Sequence, residues 1–168
     1  MAKWEPQGTE MVKIEGLFPG PFSGPNTQKA YQAALGQFLV AFNRIDNEIR
    51  RIIVKLLGDQ GRPDLWSSLR KDMYLKQVTN LQLIALGLEW FPALPYDRMS
   101  ELNSTRNTLA HGHYDQDLFS DNFQIVGRET GKPTTIEDVK ASIEEALDLV
   151  SEIDGVWAHI WFEPPSEG

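Results

Sequence analysis

Cysteine is absent from the chain, which removes disulfides, thiolate zinc sites and cysteine nucleophiles together. Long apolar runs are absent too. Arg, Asp, Lys or Glu interrupts every hydrophobic stretch before it reaches the ~18–20 residues of a membrane helix. The opening Met1-Ala2-Lys3-Trp4-Glu5-Pro6 carries no apolar leader, so a cytoplasmic protein with no membrane partner is expected. Positive charge is scarce: sixteen Lys and Arg stand against twenty-four Asp and Glu, a formal net charge of −8. That balance opposes diffuse adhesion to nucleic acid or anionic lipid and leaves a focused basic patch as the route to RNA. Arg44, Arg50, Arg51, Lys55, Arg70 and Lys71 are the candidates for one. No phosphate-cradling glycine loop or nucleophilic-serine motif occurs, so kinase, dehydrogenase and hydrolase-elbow readings have no support.

What is present is enough for one core. At 168 residues with 41% hydrophobic content, the chain suits a single domain. Eight glycines and prolines break up residues 1–26, which read as an N-terminal arm, with Met11-Val12-Lys13-Ile14-Glu15 alternating as a short strand would. From Thr27 to about Leu57, Leu35, Phe38, Phe42, Ile45, Ile49, Ile52 and Leu56 recur at spacings of three and four, the stripe of a long helix. Asn26 or Thr27 is placed to cap it and Gly58 to end it.

Pro63 is positioned to open a second helical segment. A third, from Tyr74 to about Trp90, spreads its leucines around the wheel and is expected to be the most buried. The next runs from Tyr96 to Ala110, with Met99, Leu102, Arg106, Leu109 and Ala110 within one face, so an arginine shares a mainly apolar side. Residues 114–134 read as an insertion containing a small hairpin. Thr135-Ile136-Glu137-Asp138 carries a capping pattern ahead of the final helix, which Gly155 could bend or end, and 164–168 form a flexible tail. The expected fold is therefore all-α: an up-and-down bundle of four or five helices over 27–163, with a loop or hairpin inserted before the last.

One stretch concentrates reactive side chains: Arg106-Asn107-Thr108-Leu109-Ala110-His111-Gly112-His113. Gly112 is suited to the left-handed residue that ends a helix, which puts His111 at the exit. Imidazole titrates near neutrality and serves as acid or base, while a guanidinium presents a fork of donors to phosphate oxygens. Asn107 and His111 are four apart and share a side. Arg106 and His111 are about 140° apart on an ideal helix, so they meet only if the chain departs from helix or Arg106 bends round. His113 is a secondary candidate. A separate reading takes His111, His113 and Asp115 as alternate residues of an extended segment that could hold a metal. Arg106 could also be structural, paired with Asp46 or Glu48. His159, between Trp157 and Trp161, reads as a packed or surface histidine, and the tryptophans as core or interface bulk.

Arg106-Asn107-xx-Ala110-His111-Gly112 resembles the signature of the HEPN superfamily, the higher eukaryote and prokaryote nucleotide-binding domains: arginine, often followed by a polar residue, then histidine after four to six residues. The likeness covers about seven residues, and the order of helices is consistent with it. It implies a metal-independent endoribonuclease without cofactor, acting as a homodimer with RNA as substrate. In that chemistry the ribose 2′-hydroxyl attacks the adjacent phosphorus, with Arg106, Asn107 and His111 as catalytic residues. Such domains occur in defence, stress and toxin systems, with an antitoxin or nucleotidyltransferase as partner. The alternative is a non-catalytic helical module that binds a nucleotide or dimerises, which the acidic charge favours.

Overall fold

The computed structural model describes residues 25–111, 113–116, 123–126 and 133–162. The expected strand at 11–15, most of the arm, Gly112 and the tail lie outside them. The fold is an all-α bundle of five helices joined by a small sheet. Helix α1 (Pro25–Asp59) is its spine, and it packs against α5 and α3. The stripe read from spacing is largely the face it buries: Phe38, Phe42, Ile45, Ile49, Ile52 and Leu56 are inside, joined by Tyr31 and Ile53, while Leu35 is only partly buried.

Both ends of α1 differ from expectation. The helix begins at Pro25, so Asn26 and Thr27 lie within it, and it continues through Gly58. The turn falls at Gly61, whose φ of 68° is the left-handed conformation that glycine adopts at no steric cost. The amides of Gly61 and Arg62 donate to the carbonyls of Gly58 and Leu57 at 3.0 and 2.7 Å, closing the helix end.

A single 3-10 turn, Pro63–Leu65, leads into the one-turn helix α2 (Trp66–Leu69). Helix α3 (Tyr74–Ala85) is shorter than its apolar pattern predicts, and it is not the most buried. Its main contacts are with α1 and α4. Tyr74, Gln77, Val78 and Leu81 face inward, whereas Leu75, Leu83 and Leu86 face solvent. Leucines spread around a wheel require burial on every side only if neighbours stand on every side, and here they do not. Gln77, wholly buried, donates its side-chain amide to the Leu69 carbonyl at 2.5 Å and ties α2 to α3.

Helix α4 (Tyr96–His111) presents Met99, Leu102 and Leu109 to the core, while Ala110 faces solvent. The insertion follows. Strand β1 (His113–Gln116) pairs antiparallel with β2 (Phe123–Val126), His113 opposite Val126 and Gln116 opposite Phe123, and β3 (Pro133–Thr134) pairs with the other edge of β2. The expected hairpin is thus a three-stranded sheet between α4 and α5.

Helix α5 (Ile136–Phe162) continues past Gly155 without ending there. Val139, Val150, Ile153 and Ile160 are buried, but Leu147 is exposed despite sharing their spacing. Contacts advance together along α1 and α5, from Arg44–Asp154 through Arg51–Trp157 to Lys55–Trp161, so the first and last helices run parallel. Arg98 of α4 fastens to α5 through Glu145, Asp148 and Glu152, at 2.7 and 2.6 Å for the first two. Three carboxylates hold that guanidinium well above its ordinary pKa.

The capping pattern at 135–138 forms as read. Thr135 donates its amide and hydroxyl to the Asp138 carboxylate, both at 2.8 Å, and its hydroxyl oxygen accepts the Asp138 amide at 3.2 Å. Those donated bonds depress the Asp138 pKa, the Thr135 amide contributing most. A depressed carboxylate stabilises the fold above its unfolded pKa, and the contribution disappears as pH falls through the folded value. Asp138→Ala should therefore cost about 0.5–2 kcal/mol near neutrality, and the gap to wild type should close in acid. Thermal melts at pH 7 and pH 3 check this; a gap of equal size at both would refute it.

Candidate functional site

The site expected at the end of α4 is built by ordinary helix chemistry. Leu102 and Leu109 anchor the inner face, and that fixes the rotation of the residues between them. Arg106 is consequently half-buried, Asn107 exposed, and His111, the last residue of the helix, exposed. The Arg106 guanidinium lies over the Phe42 ring of α1, 6.0 Å from its centroid, at the outer limit of a cation–π contact. Its Nη1 donates to the Asn107 side-chain oxygen at 3.1 Å.

Arg106 has no carboxylate partner among the described residues. Asp46 and Glu48, the acids that could have neutralised it, are engaged elsewhere. Asp46 accepts from Arg50 at 3.1 Å, and Glu48 accepts from Arg51 at 2.8 Å and from the Trp157 indole N–H at 2.6 Å. A guanidinium held by one amide oxygen and an aromatic ring keeps N–H groups for an external anion.

The structure brings Arg106 and Asn107 together but does not join His111 to them. Among the described residues, no side-chain hydrogen bond links His111 to either. This follows from the helical geometry that continues to His111, which leaves it about 140° round from Arg106. His113 opens β1, and its side chain, like that of Asp115, lies outside the described residues. The three-ligand reading of His111, His113 and Asp115 needed one extended segment. His111 instead ends a helix and only 113–116 are strand, and no group of three metal-ligating side chains occurs among the described residues.

His159 packs as expected of a structural histidine. Its Nε2 lies 3.0 Å from the Trp90 carbonyl and its ring 6.3 Å from the Trp90 ring. The expected basic patch is largely neutralised: Arg44 pairs with Asp154, Arg50 with Asp46, Arg51 with Glu48, and Lys55 with Asp59. Sequence reasoning missed what lies beside it. An open groove of about 320 Å³ is lined by Arg50, Arg51, Val54 and Lys55 of α1, Trp66 of α2, and Trp157 and Trp161 of α5. The lone signal was the four-residue spacing of Trp157 and Trp161, which puts both indoles on one helix face.

No described helix is long and apolar enough to cross a membrane. No family model, curated protein or solved structure matches this chain.

Proposed function

We propose that the chain is a metal-independent endoribonuclease whose site is completed by two copies, each contributing the end of α4. The observation that carries this reading is Arg106. It is an arginine with no acid partner among the described residues, bonded to Asn107 at 3.1 Å, five residues before an exposed histidine. Of the six other described arginines, Arg44, Arg50, Arg51, Arg62 and Arg98 are each taken up by a carboxylate, and Arg70, the other without an ion pair, has no histidine near it in sequence.

The chemistry needs no further group. His111 of one copy removes the proton from a ribose 2′-hydroxyl, and the 2′-oxygen forms a bond to the adjacent phosphorus. The bond from phosphorus to the 5′-oxygen breaks, and His111 of the second copy protonates that leaving oxygen. The products are a 2′,3′-cyclic phosphate and a 5′-hydroxyl. Arg106 meets the negative charge that builds on the non-bridging oxygens, which is the largest contribution in reactions of this kind. Asn107 orients the guanidinium by accepting from it. The separation of His111 from Arg106 within one chain agrees with a site in which one copy's His111 faces the other's Arg106.

Purified protein incubated with mixed RNAs in EDTA is expected to cleave them, leaving cyclic phosphate ends. Sedimentation at micromolar concentration is expected to show a dimer. Absence of cleavage under any condition would leave the competing reading, a non-catalytic helical binding or dimerisation module. That reading draws on the acidic charge and on the lack of any side-chain hydrogen bond orienting the His111 imidazole within the described residues. Cleavage by a monomer would overturn the shared site.

A further inference from the structure

Charge is unevenly distributed along this acidic chain. Eight of the sixteen basic residues, but five of the twenty-four acids, fall between Arg44 and Lys76, leaving that stretch at +3 and the remainder at −11. The stretch comprises the second half of α1, the turn after it, α2 and the chain from there into the first turn of α3. It supplies five of the seven residues lining the indole groove, Arg50, Arg51, Val54, Lys55 and Trp66. The backbone of the exposed Arg70 lies beside it, since Arg50 donates to the Arg70 carbonyl at 2.9 Å, and the exposed Lys71 follows in the chain. Neither Arg70 nor Lys71 has an ion-pair partner among the described residues.

The groove is organised around aromatic faces. Trp157 and Trp161, one turn apart on α5, stack with centroids 6.2 Å apart and planes 25° from parallel. Arg51 and Lys55, one turn apart on the parallel α1, place their cations 5.0 and 5.5 Å from those two rings. Glu48 fixes the arrangement from beneath by accepting from both Arg51 and the Trp157 indole N–H. Trp161 remains 62% exposed and Val54 42% exposed, so an indole face and an aliphatic floor stay open to solvent. Exposed indoles of this size are costly in water without a partner, and ion pairs on the rim keep the cations extended beside them.

We infer that this groove binds a single-stranded polynucleotide, its unpaired bases stacking on Trp161 and Trp66 and its phosphodiesters resting against Arg70, Lys71, Arg51 and Lys55. The ion pairs of Arg51 and Lys55 with Glu48 and Asp59 face solvent and exchange for phosphate at little cost. Bases offer the flat apolar surface that the indoles accept irrespective of sequence, and the phosphates supply the anion that the +3 stretch attracts. The groove is separate from Arg106. Arg51 lies nine positions beyond Phe42 on α1, about 14 Å along the axis and half a turn round it, so binding here stands or falls independently of cleavage.

The test uses a fluorescently labelled 2′-O-methyl oligouridine of about twelve nucleotides, which 2′-oxygen attack cannot cleave, at about 50 mM salt where phosphate contacts are strong. Wild-type protein should raise its anisotropy, and binding should quench tryptophan emission. Trp161→Ala should weaken binding about fivefold or more, Lys55→Ala should weaken it measurably, and Trp161→Phe should retain most of it. Circular dichroism should show wild-type helix content in all three. Three outcomes would overturn the inference: no binding at about 100 μM protein, unchanged affinity in Trp161→Ala, or equal affinity for a duplex of the same length.

Discussion

His111→Ala is expected to reduce single-turnover RNA cleavage by about 10²-fold or more, since a positioned acid or base contributes typically 10²–10⁴. Because His111 is exposed at the end of α4, the variant should fold and dimerise as the wild type does. Arg106→Ala should lose a similar factor by removing charge stabilisation at phosphorus. Arg106→Lys should restore little, because an ammonium lacks the planar fork that engages two phosphate oxygens while Asn107 holds a third N–H. A mixing experiment isolates the shared site. If each site needs one His111 as base and the other as acid, an equal mixture of wild-type and His111→Ala chains leaves about a quarter of the dimers active. Half-maximal activity would instead mean that each chain carries a complete site. Cleavage that survives in both alanine variants would remove these residues from the mechanism altogether.

The sequence made the inner stripe of α1 legible because burial there follows a strict three-and-four spacing. Phe38, Phe42, Ile45, Ile49, Ile52 and Leu56 are all inside. The Thr135–Asp138 cap was legible for a similar reason, since both partners lie within one turn. What failed were inferences about neighbours. Leu83 and Leu86 looked like core in a helix with apolar residues all round, yet both are exposed. Gly58 looked like a terminator, but the left-handed turn is set three residues later at Gly61. Leu147 keeps the α5 spacing and still faces solvent.

The candidate site was half legible. Spacing alone put Arg106 beside the apolar face and His111 at the helix end, and the structure agrees with both placements. It could not reveal that Asp46 and Glu48 are committed to Arg50 and Arg51, because that depends on side chains one turn apart on α1 outcompeting one on α4. The groove was invisible for a stronger reason. Trp66 and Trp157 are ninety-one positions apart, and only the parallel packing of α5 on α1 brings their elements together. Arg98 is a third example, since its three acids are spaced for one face of α5 but give no sign of which arginine they hold.

Ile49→Ala is expected to destabilise the protein by about 2–5 kcal/mol, the largest effect on stability of any substitution considered above. Ile49 is wholly inaccessible on α1, the helix that packs against α5, α3 and α4. Three carbons removed there leave a void lined by elements that cannot all close in at once. Against a total of about 5–15 kcal/mol, the loss should lower the melting temperature by about 5–15 °C in a domain of this size. The informative comparison is Leu86→Ala, which deletes the same number of carbons. Its side chain is 78% exposed, so its cost should stay within about 0.5 kcal/mol. Spacing alone ranks the two positions alike, as members of apolar helical segments. If Leu86→Ala proved as costly as Ile49→Ala, the outer face of α3 would be covered in solution, and a second copy of the chain would be the first partner to look for, by repeating the melts across protein concentration.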